Sequence, residues 1–149
     1  MAQIPDKLTE IIDDFASITD RNERVEYLIE KADRFAEVKV PATLATRPYD
    51  ERHRVPACES EAFVWTVEQP DHTLKYYFDV LNPQGLSAMA MSVILDETCS
   101  GQPLEQVAAV STDIVLQIFG REISMGKGQG LMGIVSVVQH EAKKRLQRA

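Results

Sequence analysis

A loop and a strand meet in Val55-Pro56-Ala57-Cys58-Glu59-Ser60-Glu61-Ala62-Phe63-Val64-Trp65. The first half of this stretch ends a polar, proline-marked segment that starts near Val38, and the second half opens an apolar run. Loops of this length are uncommon in compact domains unless they serve a function. We therefore expect Cys58 to sit at a loop tip with a rigid sheet behind it, where its thiol can be presented to a partner. An ordinary surface connection is the alternative for this loop.

The residues after Cys58 predict an antiparallel β-hairpin. Large apolar side chains recur at every second position over residues 62–67 and again over residues 74–80, which is the period of a half-buried strand. Between these runs, Gln69-Pro70-Asp71-His72 supplies residue types that favour a turn.

Two helices are predicted before the loop. Residues 5–18 carry their apolar residues on one helical face, and Asp20 is a suitable cap for a second helix that continues to Phe35. The predicted inward residues of this second helix are Val25, Leu28, Ile29, Ala32 and Phe35. Because the joint between the two helices is short, we expect them to pack as an antiparallel hairpin.

Helices are also predicted after the hairpin. The first covers residues 86–98 and the last runs over about 130–146, with two short helices near 103–107 and 112–119 between them. Helices, then a hairpin, then helices predict one α+β domain over residues 1–149, in which a small antiparallel sheet packs against several α-helices.

Composition argues against several classes of function. The formal charge is −7 and no basic stripe is visible, so we predict no nucleic-acid partner, because phosphate binding relies on clustered Lys and Arg. Two cysteines and a polar amino terminus favour free thiols in a reducing cytoplasm. No apolar run approaches the roughly 20 residues that cross a bilayer. His53 and Cys58 lack the paired spacing of a zinc site, so no metal is predicted.

Cys58 is the candidate nucleophile of the chain. Near neutral pH a cysteine is a few per cent thiolate and already strongly nucleophilic. The basic residues 52–54 would lower its pKa, whereas Glu59 and Glu61 would raise it, so the sequence leaves the direction open. The alternative is a small buried hydrophobe, which is the commoner fate of a free cysteine.

Two further features have ordinary structural explanations. Cys99 follows a helix and is expected at the edge of the core, with a resolving partner for Cys58 as the weaker alternative. Gly126-Lys127-Gly128-Gln129-Gly130 precedes the predicted last helix but lacks Walker A spacing and has no Ser or Thr after the lysine. We interpret these glycines as a flexible turn that lets backbones approach closely, not as a nucleotide site.

Two stretches resemble motifs of the SufE family. The family motif Gly-Cys-Gln-Ser-x-Val-Trp is similar to Ala57-Cys58-Glu59-Ser60, with alanine for glycine, glutamate for glutamine, and Trp65 two places later than usual. The motif Ser-Pro-Ser-Arg-x-Asn/Gln-Gly-Leu is similar to Ser124-Met125-Gly126-Lys127-Gly128-Gln129-Gly130-Leu131, with lysine for arginine. The order of elements also agrees over residues 8–146, so the resemblance implies a SufE-like α+β fold.

The resemblance implies a sulfur-acceptor protein of iron–sulfur cluster assembly. In that role Cys58 takes sulfane sulfur from the persulfide of a pyridoxal-phosphate (PLP) dependent cysteine desulfurase, SufS-like, and stimulates it. The sulfur then passes to an iron–sulfur scaffold complex, SufBCD-like. The desulfurase holds the cofactor, so none is expected here, and the protein is an accessory factor rather than an independent enzyme. Motif position makes Glu59, Ser60, Lys127 and Gln129 the predicted partner-binding residues.

Two other functions remain open at this point. One is a SufE-fold binding module that regulates a partner without carrying sulfur, which the departures from the family motif favour. The other is a peroxide-reducing thiol enzyme in which Cys99 resolves an oxidised Cys58.

Overall fold

The computed structural model describes residues 3–148, which form six α-helices, two β-strands and two short 3₁₀ turns. In chain order these are α1 (Asp6–Ser17), α2 (Arg21–Ala32), a 3₁₀ turn (Phe35–Glu37), a second 3₁₀ turn (Glu51–His53), β1 (Ala62–Glu68), β2 (Leu74–Val80), α3 (Leu86–Cys99), α4 (Leu104–Ala108), α5 (Ile114–Phe119) and α6 (Met125–Arg148). The predicted α+β class, with a small antiparallel sheet against several helices, is confirmed.

The hairpin forms in the predicted place and the long loop extends it on both sides. β1 and β2 are antiparallel, with Ala62 opposite Val80 at one end and Glu68 opposite Leu74 at the other. Lys39 makes a parallel bridge to β2, and Arg54 makes an antiparallel bridge to β1. Both ends of the loop are therefore tied to the sheet.

The middle of the long loop is held by a buried carboxylate. Asp79 on β2 is 1% exposed, and its Oδ2 accepts hydrogen bonds from the Tyr49 hydroxyl at 2.6 Å and from Arg47 Nη2 at 2.9 Å. A buried charge is stable only when it is paired and hydrogen-bonded in this way. The pairing fixes the loop that leads to Cys58.

α3 is the central element of the fold. Nine of its residues are buried, and they cover every side of the helix: Ala88, Ala90, Met91, Ser92, Val93, Ile94, Leu95, Thr98 and Cys99. β2, α1, α2 and α6 all pack against it. An apolar surface on all sides is typical of a helix at the centre of a core.

The central position of α3 overturns the predicted pairing of α1 with α2. Each helix packs against α3, and the two touch each other only near their joint, where the Phe15 and Tyr27 rings lie 4.7 Å apart. There Arg24 donates to the carbonyl oxygens of Phe15 and Ile18 at the end of α1. The antiparallel hairpin prediction is wrong, because α1 packs mainly against α5 and α3, and α2 packs mainly against α3.

The predicted inward face of α2 is only partly correct. Leu28 packs on the core and Ala32 is buried, but Val25 is 46% exposed and Ile29 is 38% exposed. These residues form two adjacent rows at i, i+4 spacing, and only the row of Leu28 and Ala32 lies against α3.

The last helix begins at Met125, not at Gly130 as predicted. Ser124 caps it, since its hydroxyl accepts from the Lys127 N–H at 3.3 Å and its carbonyl accepts from the Gly128 N–H at 2.8 Å. The glycine-rich segment is therefore the first part of α6, and the prediction of a flexible turn is wrong.

Candidate functional site

Cys58 sits on a tight turn whose two flanking residues adopt left-handed backbone conformations. Ala57 has φ of 58° and Glu61 has φ of 54°, and the Glu61 N–H donates to the Cys58 carbonyl at 3.0 Å. Residues other than glycine adopt this backbone conformation at a cost of about 1–2 kcal/mol each. Outside the turn, the Val55 N–H donates to the Ala62 carbonyl at 2.9 Å, so the turn projects from a fixed base.

Three glycines on one face of α6 form the seat of this turn. A Cβ atom built at Gly130 would lie 3.4 Å from both Cα and Sγ of Cys58. One at Gly133 would lie 2.9 Å from Cγ1 of Val55, and one at Gly126 would lie 3.3 Å from a carboxylate oxygen of Glu59. Their spacing of four and three residues is that of a single helical face. Of the three glycines for which close backbone approach was expected, Gly130 shows it, and Gly133 shows it in addition.

Cys58 is partly buried and lines a cavity of about 240 Å³. The amino ends of two helices form the rest of the wall, with Ser87 and Ala88 from α3 and Gly126 and Lys127 from α6. The first N–H groups of a helix lack intrahelical acceptors, and the helix dipole places positive charge at this end. Together with the Lys127 ammonium, these groups favour an anion in the cavity.

Glu59 offsets part of this positive field. Its carboxylate lies over Gly126 in the first turn of α6, a position where a negative charge is favourable by about 0.3–1 kcal/mol. The Glu59 carboxylate therefore offsets part of the positive charge that the two helix ends and Lys127 place at the cavity.

The structure brings most of the predicted site residues together. Glu59, Ser60 and Lys127 line the cavity with Cys58, whereas Gln129 is exposed and lies outside its wall. The basic residues 52–54, which were considered as neighbours of the thiol, line a different cavity.

Sequence reasoning missed Gln84, Leu86, Ser87 and Ser124, which also line the Cys58 cavity. The sequence did indicate that the helices corresponding to α3 and α6 each begin just after a stretch of turn residues. Nothing in the sequence showed that these two helix ends converge on the same cysteine.

Cys99 lies in a different environment. It is fully buried at the carboxyl end of α3, and burial raises the pKa of its thiol to about 11. Its sulfur lies 3.6 Å from the Thr98 hydroxyl. It is therefore this cysteine that behaves as a small buried hydrophobe.

The separation of the two cysteines excludes a resolving role for Cys99. The cavity of Cys58 is lined by residues at the start of α3, and Cys99 ends that helix. At 1.5 Å per residue the helix holds the two ends about 20 Å apart. A disulfide needs Cα atoms about 4.4–6.8 Å apart, so the peroxide-reducing alternative is wrong for this fold.

Over residues 3–148, no group of three or more His, Cys, Asp and Glu side chains is arranged to hold a metal ion. Within the same part of the chain, no helix has the length and apolar composition needed to cross a bilayer.

Comparison with known proteins identifies the family. Residues 9–142 match the SufE family model, described as an Fe-S metabolism associated domain. An uncharacterised SufE-like protein of Rhizobium etli is 28% identical over 147 residues, covering 93% of this chain and 90% of that protein. The solution structure of a hypothetical protein from Thermus thermophilus has the same fold, with a TM-score of 0.70, 23% identity, and coverage of 97% of this chain and 99% of that chain. These matches support a role in iron–sulfur metabolism, and the chain belongs to the SufE family.

Proposed function

We propose that this protein is a sulfur acceptor for a PLP-dependent, SufS-like cysteine desulfurase, with Cys58 as the accepting thiol. The observation that carries the proposal is the placement of Cys58 on a projecting turn, partly exposed, at the wall of a cavity formed by two helix amino ends. A cysteine held in this way is reachable by a partner.

The transfer step is a thiol exchange. The Cys58 thiolate attacks the terminal sulfur of the desulfurase persulfide, and a new sulfur–sulfur bond forms on Cys58 as the bond in the donor breaks. The desulfurase cysteine leaves as a thiolate, and the proton that Cys58 gives up is available to it. The total oxidation state of the sulfur atoms is the same before and after the exchange, so neither an oxidant nor a reductant is needed.

The glycine seat gives the persulfide a protected position between the two transfers. Among the described residues no backbone hydrogen bond joins residues 56–59 to α6, so the turn can leave the seat without breaking one. The outer ends of the turn stay fixed, because the Leu81 N–H donates to the Glu61 carbonyl at 3.1 Å and Val55 is paired with Ala62. The Asn82 N–H also donates to the Ser60 carbonyl at 3.2 Å, so the motion needed to reach a partner would be confined to residues 56–59.

The partner-facing residues follow from this geometry. Glu59, Ser60 and Lys127 surround the cavity, and we propose that they contact the desulfurase as Cys58 moves out. Gln129 is exposed nearby on α6 and is proposed at the edge of the same face. The sulfur would then pass to a SufBCD-like scaffold, and we propose that the exchange takes place in the cytoplasm, where thiols stay reduced.

The test compares desulfurase turnover with binding. Cysteine consumption by a SufS-like desulfurase is measured with the wild-type protein, with Cys58→Ala and with Cys99→Ala as the matched control, and calorimetry gives the affinity of each complex. We expect stimulation by the wild type and by Cys99→Ala, but none by Cys58→Ala, which should still bind. Stimulation by Cys58→Ala equal to that of the wild type would instead make the chain a regulatory module that carries no sulfur.

A further inference from the structure

A second cavity, of about 390 Å³, shares no residue with the wall of the Cys58 cavity. It lies where the 3₁₀ turn Glu51–His53, β1 and the carboxyl end of α6 meet. Its wall includes Arg52, Lys144 and Arg145, with Glu141, 3.0 Å from Lys144, as the carboxylate, and Thr66, whose hydroxyl donates to Glu141 at 3.4 Å. The guanidinium of Arg54, another wall residue, lies over the Phe63 ring on the opposite face of β1, so three cations and one anion line one small space in a chain whose net charge is −7.

The acids that pair with Arg52 and Arg145 lie outside the cavity wall. Asp50 is 3.2 Å from Arg52, and Glu68 is 3.6 Å from Arg145. Both carboxylates are more than half exposed to solvent. Exposed ion pairs of this kind are weak, so the arginines remain available to a ligand that enters the cavity.

Arg145 has an unused donor at this site. Its Nε is buried and has no hydrogen-bond partner among the described residues. Its Nη2 is 3.4 Å from the Thr66 hydroxyl oxygen, which is a long contact. Buried donors are normally satisfied, and a vacant one next to several cations points to an anionic ligand or an ordered water. The planar guanidinium suits the paired oxygens of a carboxylate or a phosphate.

We propose that this cavity binds a small oxyanion that bears carboxylate or phosphate groups. Arg145 and Lys144 from α6 would hold the ligand from one side, and Arg52 from the other. The ligand would join the 3₁₀ turn to the end of α6, two segments about 90 residues apart in the sequence. This site is independent of the proposed sulfur transfer.

The chain contains its own reporter for this binding. Trp65 is the single tryptophan, and its ring stacks on the ring of His53 at 5.2 Å with an interplanar angle of 27°. His53 also lines the cavity, with Nδ1 3.1 Å from the Val64 carbonyl oxygen. A ligand that contacts this wall should change the fluorescence of Trp65.

The experiment titrates the native protein with inorganic phosphate and, separately, with citrate, each against sodium chloride at equal ionic strength. We expect a saturable change in Trp65 fluorescence, and in the backbone amide shifts of residues 52–54 and 141–145, with at least one oxyanion and not with chloride. Tighter binding of citrate would indicate a carboxylate ligand in the cell, and tighter binding of phosphate a phosphate-bearing one.

Two neighbouring lysines give a matched pair of variants. Lys144 lines the cavity, whereas Lys143 is exposed outside it. Lys144→Gln should weaken oxyanion binding about tenfold, as expected for loss of one charge-assisted hydrogen bond, and Lys143→Gln should weaken it less than about twofold. Absence of saturation with both oxyanions, or equal weakening in both variants, would overturn the proposal.

Discussion

The two cysteines of the chain lie near opposite ends of α3, and their surroundings differ. At the amino end Cys58 is partly exposed, on a projecting turn beside two positive helix ends. At the carboxyl end Cys99 has no exposed surface and a raised pKa. The negative end of a helix and an apolar core both disfavour a thiolate. Surroundings, not residue type, therefore make one cysteine a candidate nucleophile and the other a packing residue.

The largest expected difference between the two ends is in thiol reactivity. Cys58 should react with an aromatic disulfide reagent in the native protein, whereas Cys99 should react only after its part of the core opens. Opening the core of a small domain costs about 5–15 kcal/mol, so Cys99 should react at least about a thousandfold more slowly. Stopped-flow absorbance on Cys58→Ala and Cys99→Ala measures each thiol separately. Comparable reaction rates for the two thiols would contradict this expected difference.

The second difference is in the pH dependence of stability. Unfolding lets the Cys99 thiol ionise near its ordinary pKa of 9.0, whereas in the folded state burial raises that pKa to about 11. The unfolded state therefore loses its proton first, so this contribution to stability is complete below about pH 9 and is lost as the pH rises to about 11. The loss should reach about 2–3 kcal/mol.

Denaturant unfolding at several pH values checks this expectation. Cys99→Ala should show a shallower decline above about pH 9 than the wild type. Tyr76, whose burial also raises its pKa, contributes to both proteins alike. If the free energy of unfolding declined with pH as steeply in Cys99→Ala as in the wild type, Cys99 would not be the titrating group.

The third prediction concerns the glycines of α6 that form the seat of the Cys58 turn. Gly133→Ala places a methyl group 2.9 Å from Val55 and should destabilise the protein by about 1–3 kcal/mol. It should also lift the turn from α6 and raise the reactivity of Cys58. Gly128→Ala is the matched control, because its Cβ meets Ile123 at an ordinary 3.6 Å and helix propensity gains about 1 kcal/mol. Equal stability of the two variants would contradict a tight seat.

The smallest expected effect concerns the turn that carries Cys58. Ala57→Gly removes the strain of the left-handed conformation at this position. Because glycine also raises the entropy of the unfolded state, the net stabilisation should be less than about 1 kcal/mol. Ala42→Gly, at an exposed position without positive φ, should instead destabilise it by about 0.5–1 kcal/mol. Thermal unfolding of the two variants should thus shift in opposite directions, and a shared direction would contradict the strain at Ala57.

Much of the fold follows from local patterns in the sequence. The alternation in β1 and β2 and the cap at Asp20, whose side chain accepts from the Asn22 N–H at 2.8 Å, are local signals that the structure contains as predicted. The start of α6 was missed because glycines normally disfavour a helix. Here their lack of side chains lets the turn of Cys58 lie against the helix, and that tertiary contact outweighs propensity.

The candidate site was predictable in part. The motif around Cys58 and the position of Lys127 come from short stretches of sequence, and the fold places both at one cavity. The basic cavity was not predictable, because Arg52 and Arg145 are far apart in the sequence. Convergence of distant residues depends on the packing of α6 against β1.

The most direct test of the account is to locate the transferred sulfur. The protein is incubated with a SufS-like desulfurase and cysteine, remaining thiols and persulfides are alkylated, and the peptides that contain Cys58 and Cys99 are weighed by mass spectrometry. The account predicts one added sulfur atom on the Cys58 peptide and none on the Cys99 peptide. An added sulfur on Cys99, or an unmodified Cys58 beside a desulfurase that turns over, would contradict it.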